Sequence, residues 1–211
     1  MDVDFAAPAA ERERRLLEGA AEATRFFMGE ADVQRALLKL ARLLDEAGIP
    51  YAVAGAMALN EYGYRRVTTD VDVLLTRQGL ADLKLHALGR GYLEKFPGSK
   101  GLRDTENNVA IDVLIAGDYP GDGKPKAVVF PDPQAVAQRT PRMSLLPLPK
   151  LIELKLASGL SAPHRLKDLA DVLELVRAAH LPEDLGEQLD ESVRAKYAEL
   201  WRAAQGGGDE E

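Results

Sequence analysis

The amino-acid sequence predicts an α/β (α+β) protein: a small mixed sheet with flanking helices, followed by a C-terminal helical part. Three observations carry that expectation. Short apolar runs of strand character, at 51–54, 70–75 and 108–116, alternate with segments whose apolar residues recur at helical spacing. Two of those runs carry aspartates, Asp70 and Asp72 in one and Asp112 in the other. From Pro131 onward the composition turns to that of helices.

The 211 residues suffice for one large domain, or one domain with an appended helical part. The content is 46% hydrophobic and 29% charged, as in ordinary globular chains. The absence of cysteine excludes a disulfide scaffold and thiolate-bound zinc, and it fits a cytoplasmic setting. The opening MDVDFAAPAAERERR has neither the basic start nor the apolar stretch of a secretory signal. No apolar run approaches the roughly 20 residues that span a bilayer, so no membrane partner is expected. A net charge of −7 argues against a generally basic nucleic-acid binder but leaves room for a local basic patch.

In chain order, 9–28 reads as a helix with Leu16, Ala20, Ala23 and Phe27 at helical spacing. A stronger helix covers 31–47, striped by Val33, Leu37, Leu40 and Leu44 and stopped at Gly48. Pro50 holds Ile49 extended, and a strand begins at Tyr51. Gly55 ends that strand, and the small residues after it have helical composition. Next come the Asp70 strand, a helix over 79–89 and a strand from Tyr92 to Phe96. Ser99 to Asp104 reads as a loop, Asn108 to Ala116 as a strand, Gly117 to Lys126 as a loop rich in glycine and proline, and Ala127 to Phe130 as a short strand. Helices are then expected over 133–138, from LIELKLASG, over 163–179 and over 190–204, with Tyr197 and Trp201 as core of the last. GGGDEE at the end is expected to be disordered.

Alternation along a strand puts Asp70 and Asp72 on one face and Val71, Val73 and Leu75 on the other. Two like charges at that spacing repel, and burial would add to the cost. A divalent cation between them removes it. Asp112, set in an aliphatic strand, also needs a partner, either an arginine or the same cation. Three carboxylates on neighbouring strands would suit magnesium, which takes six oxygens shared among carboxylates, phosphate and water. Such ions serve phosphoryl displacement.

Lys155 follows Leu148, Leu151 and Ile152 on an apolar helix stripe. Two readings fit: its ammonium snorkels to water, or it faces an anionic ligand such as a triphosphate. On the next helix Leu166, Leu169, Val172, Leu173 and Val176 define the buried face. Asp168 falls at its edge, able to pair with Lys155 or Arg165, and Asp171 falls nearly opposite, in solvent. Arg65 and Arg66 precede the carboxylates and suit phosphate. No GxGxxG, Walker A or GxSxG motif is present.

Gly55-Ala56, then Asp70-Val71-Asp72, then Asp112, resembles the nucleotidyltransferase superfamily related to DNA polymerase beta. The arrangement Arg66-x-Thr68-x-Asp70-x-Asp72 is similar to that of its AbiEii and MenT toxin-type branch. In that branch a lysine and a downstream aspartate on the C-terminal helices belong to the site, and LIELKLASGL and RLKDLADVLEL look like those segments. The resemblance spans about residues 33 to 180. It implies an N-terminal helical extension over 1–30, a nucleotidyltransferase core over 31–130, a C-terminal helical part over 131–205 and a tail over 206–211. It also implies an enzyme that moves a nucleoside monophosphate from an NTP to an acceptor hydroxyl, with Mg2+ (or Mn2+) as cofactor. Asp70, Asp72 and Asp112 would hold the metal, with Asp112 also helping to deprotonate the acceptor. Gly55, Ala56, Arg66, Thr68 and Lys155 would bind the nucleotide, and Asp168 would position Lys155 or contact the nucleotide. Ala56 departs from the Ser or Gly usual after the family's glycine: it permits backbone contact but supplies no hydroxyl. That substitution is the feature that speaks for the alternative, a catalytically inactive nucleotide-binding or partner-binding module.

The acceptor is a tRNA end, a protein hydroxyl or a small molecule, and a toxin would bring an antitoxin partner. An RNA acceptor requires a basic surface. The candidates are Arg65, Arg66, Arg77, Lys95, Lys100, Arg103, Arg139, Arg142, Lys150, Arg165 and Lys167.

Overall fold

The computed structural model describes residues 31–206. The helix expected over 9–28 lies outside these residues, as does the 206–211 tail apart from Gly206, which caps the last helix. Helix α1 covers 31–46, and its stripe of Val33, Leu37, Leu40 and Leu44 is buried as the spacing requires. Then follow β1 (Ala52–Val53), α2 (Gly55–Glu61), β2 (Asp70–Leu75), α3 (Arg77–Ala87), β3 (Tyr92–Glu94), β4 (Leu102–Asp104) and β5 (Val109–Ile115). The remainder is α4 (Pro133–Val136), β6 (Gln138–Arg139), β7 (Ser144–Leu145), α5 (Leu148–Ser161), α6 (Leu166–Ala178) and α7 (Glu191–Gln205).

The strands form one mixed seven-stranded sheet in the order β3-β4-β5-β2-β1-β7-β6. The β2–β5 and β1–β7 pairs are parallel and the rest antiparallel. Strand alternation divides the core. Val71, Val73 and Leu75 with Ile111, Val113 and Ile115 pack on the side of α1. Ala52 and Leu74 pack on the side of α5 and α6, against residues such as Ile152, Leu156, Val172 and Leu175. Tyr197 and Trp201 are core, each donating to a backbone carbonyl, of Pro182 and Leu181, at 2.9 Å.

Four expectations for the chain are corrected. Within Ser99 to Asp104, read as loop, Leu102–Asp104 is strand β4, antiparallel to β5. Leu102 and Asp104 turn inward and only Arg103 is exposed, so a polar-looking triplet is a strand with one wet face. Ala127 to Phe130 is not a strand: Phe130 only exchanges backbone hydrogen bonds with Gly117 and Asp118 across the base of the loop. The chain after Pro131 is not wholly helical, since β6 and β7 extend the sheet beside β1. The helix expected over 163–179 opens as a 3-10 turn, Pro163–Arg165, before α6.

Asp104 is fully buried on β4. Burial alone would raise its pKa. Hydrogen bonds from Asn107, at 2.6 Å, and from Lys39, also at 2.6 Å, outweigh that and hold it below the usual aspartate range. Its contribution to stability is therefore present above the ordinary aspartate pKa and lost as pH falls through the depressed one. Lys39→Met leaves this carboxylate without its cation. An unfolding free energy lower by about 2–3 kcal/mol in chemical denaturation at neutral pH is expected, since Asn107 and a backbone amide still support it.

Candidate functional site

The parallel ladder between β2 and β5 places Asp72 directly beside Asp112, with Asp70 on the same face opposite Ala110. Adjacent strands lie about 4.8 Å apart, so two carboxylates stand side by side. Strand β1 ends where Gly55 opens α2 beside Asp72. Gly55 has φ +58°, and a Cβ there would lie 1.8 Å from Asp72 Oδ2. Only glycine accepts both the conformation and the approach.

All the site residues named from the sequence line one cleft of about 1020 Å³: Gly55, Ala56, Arg66, Thr68, Asp70, Asp72, Asp112, Lys155 and Asp168. The sheet face forms one wall, α5 and α6 another, and the loop from Gly117 to Gly123 a third. Within it Thr68 donates from its hydroxyl to Asp70, and Lys95 forms an ion pair with Asp112. Burial, followed by the neighbouring charges of Asp70 and Asp112, pushes the Asp72 carboxyl up to about 7; Lys155 and Arg66 pull the other way without prevailing. Among the described residues, no three His, Cys, Asp or Glu side chains converge as a ready metal cluster. Asp70 and Asp112 are instead turned to Thr68 and Lys95. The donor set nonetheless fits a hard divalent cation in its chemistry. It is all carboxylate oxygen, and its repulsion at Asp72 is what a cation relieves.

Lys155 is buried rather than snorkelling. Its Nζ donates to Asp168 Oδ1 at 3.1 Å and to Asp171 Oδ2 at 2.6 Å. Asp168 also accepts from Ser158 at 2.6 Å and lies 3.9 Å from Arg165, so both partners read from the sequence are present. Asp171 is the correction: it is 3% exposed, not solvated. The buried face of α6 is Asp171, Val172, Leu175 and Val176, rotated from the expected stripe. Leu166 is exposed and Leu169 only partly buried. Leu175, one turn after Asp171, was the signal that could have placed it. Lys95, named from the sequence only as a basic surface candidate, pairs with Asp112; Ser158 and the place of Tyr119 at the cleft had no sequence signal.

Of the eleven basic candidates for an RNA surface, Arg66, Arg77, Lys100, Arg165 and Lys167 line the cleft. Arg139 and Arg142 pair instead with Asp45 and Glu61 near the β6–β7 end, and Arg103 sits on β4 toward the opposite edge. The basic set is therefore split, with five members at the cleft.

No protein-family model and no curated protein matches the chain. Solved structures do. The crystal structure of ANT(2'')-Ia in complex with adenylyl-2''-tobramycin aligns at TM-score 0.52 and 14% identity, covering 79% of this chain and 97% of that one. The solution structure of the antibiotic-resistance factor ANT(2'')-Ia aligns at TM-score 0.51 and 16% identity, covering 82% and 98%. A candidate nucleotidyltransferase from H. pylori aligns at TM-score 0.48 and 16% identity, covering 83% and 93%. At these identities the likeness is one of architecture: the chain has a nucleotidyltransferase-like fold. No described helix is long and apolar enough to cross a membrane.

Proposed function

We propose that the protein is a magnesium-dependent nucleotidyltransferase that moves a nucleoside monophosphate from an NTP to an acceptor hydroxyl. The observation that carries this is the Asp70, Asp72 and Asp112 face set against Lys155 and Arg66 in a single cleft. In the proposed reaction the acceptor oxygen attacks the α-phosphorus. The bond to the bridging oxygen of the β-phosphate breaks, and pyrophosphate leaves with that electron pair. The acceptor's proton passes to an Asp112 carboxylate oxygen. Asp70, Asp72 and Asp112 would hold magnesium (manganese being an alternative), which when bound neutralises phosphate charge. Lys155 and Arg66 face the phosphates, Gly55 and Ala56 lend backbone, Thr68 orients Asp70, and Asp168 orients Lys155.

The motif arrangement supports the AbiEii/MenT toxin-type branch and with it an antitoxin partner, and the absence of cysteine fits a cytoplasmic role. A tRNA end is the proposed acceptor because five of the eleven basic candidates, Arg66, Arg77, Lys100, Arg165 and Lys167, line the cleft beside Lys155; six aspartates line it as well, and a protein or small-molecule hydroxyl is the alternative. In the domain reading, 31–130 is the core and 131–205 the part that carries Lys155 and Asp168.

Labelled NTPs, each incubated with the protein, magnesium and total tRNA, are expected to label the RNA and release pyrophosphate. Label appearing on protein or on a small molecule instead would overturn the acceptor assignment. NTP binding without pyrophosphate release from any acceptor would leave the inactive binding module standing. Magnesium and NTP together at about 100 times Kd should raise Tm by roughly 5–10 °C, with either alone doing less. An equal shift without magnesium would place the nucleotide outside the carboxylate cleft.

A further inference from the structure

We propose that Asp171 is a positioning residue that sets Arg66 and Lys155 as a two-armed phosphate clamp; this rests on the nucleotidyl-transfer reading above. Asp171 does not line the cleft, but both cations that its Oδ2 receives do. Arg66 Nη1 donates to it at 2.8 Å and Lys155 Nζ at 2.6 Å. Arg66 comes from the segment between α2 and β2, which has no regular structure of its own. Its backbone amide is tied to Asn60 Oδ1 at 2.7 Å, which fixes where the residue starts. Asp171 fixes where its guanidinium ends. Lys155 is fixed from the other side by Asp168.

Two cations brought to one point repel each other and, on flexible stems, would separate into solvent. A buried carboxylate between them removes the repulsion and the freedom together. Both arms are then ordered before a ligand arrives, so binding does not have to order them. The clamp also makes the phosphate site depend on α6, an element that follows the carboxylate strands late in the chain.

The test measures binding of inorganic tripolyphosphate, with magnesium, to the full chain. Asp171→Asn and Arg66→Gln should each weaken binding about tenfold or more. In the Arg66→Gln background, Asp171→Asn should weaken it less than about threefold, because one client of Asp171 is already gone. A purely structural Asp171 would give additive losses that follow the fall in Tm. Additivity, unchanged binding or tighter binding in folded Asp171→Asn overturns the proposal. If Asp171→Asn does not fold, the unmodified chain labelled with ¹⁵N-arginine is read by NMR. The Arg66 guanidinium signal, assigned by its loss in Arg66→Gln, should be protected from exchange before tripolyphosphate is added and should shift on addition. A signal in fast exchange throughout overturns the clamp. A wild-type chain that binds neither tripolyphosphate nor any NTP removes the nucleotidyl-transfer reading and the clamp with it. Normal NTP turnover with an unaffected Asp171→Asn removes the clamp alone.

Discussion

Asp72→Asn is expected to lose nucleotidyl transfer by on the order of 100-fold or more while becoming more stable at pH 8 without metal. The stability half follows from linkage. The Asp72 carboxyl sits at about 7 in the folded protein against an ordinary value of 3.8. Below about pH 3 the group is protonated whether folded or not, and it costs nothing. As pH rises through the window between those values, the unfolded chain ionises first and the fold loses stability. The loss is complete above about pH 7 and is on the order of 2–4 kcal/mol. The asparagine variant does not titrate, so its Tm should exceed wild type at pH 8 and match it near pH 3. Asp70→Asn should give a weaker version, since Asp70 is the first charge after burial that raises Asp72. Wild-type turnover in Asp72→Asn would sink the metal-holding assignment. A Tm below wild type at pH 8 would show that Asp72 supports the fold.

Gly55→Ala is the second large effect. The new Cβ would stand 1.8 Å from Asp72 Oδ2 and 2.6 Å from its Cγ, on a backbone at φ +58°. Neither the conformation nor the space admits it, and a loss of about 3–5 kcal/mol is expected in denaturant unfolding. What protein survives folded must have moved Asp72, and a displacement of about 1 Å at a reacting centre costs on the order of 100-fold in rate. A substitution one residue later is informative by contrast: Ala56→Ser keeps a small side chain on a buried residue of ordinary helical conformation and should cost no more than about 1 kcal/mol. Wild-type stability in Gly55→Ala would mean that the carboxylate and the glycine do not meet in solution.

Much of this site was legible because strand alternation is strict. Asp70 and Asp72 must share a face, and Asp112 in an aliphatic strand had to find the same cleft or an ion pair. It has done both, lining the cleft and meeting Lys95. Lys155 was legible from its place on an apolar stripe, which the structure buries. The departures have two physical origins. Strands β4, β6 and β7 are of two or three residues, too short for alternation to register; β4 and β6 pair with the next strand in the chain, and β7 alone of the three reaches a distant one, β1. Asp171 departs from the expectation that a charge on a helix faces water. Two cations, one from a distant loop, make its burial tolerable, and such a contact leaves no periodicity.

The two-residue strand β1 has a consequence for how the protein is made. Val53 pairs on one side with Val73 and on the other with Leu145, and β7 leads after only a short step into α5 with Lys155. At about 5–20 residues per second, a ribosome delivers Leu145 roughly 5–20 s after Val53. For that interval the newborn sheet carries its carboxylates with one edge of β1 unsatisfied and with none of the cations of the helical layer. Closing the parallel β1–β7 contact must also await a long loop, which slows folding. The half-sheet is therefore the species that a chaperone or a neighbouring nascent chain meets first, and the cleft comes into being only when translation has passed α6.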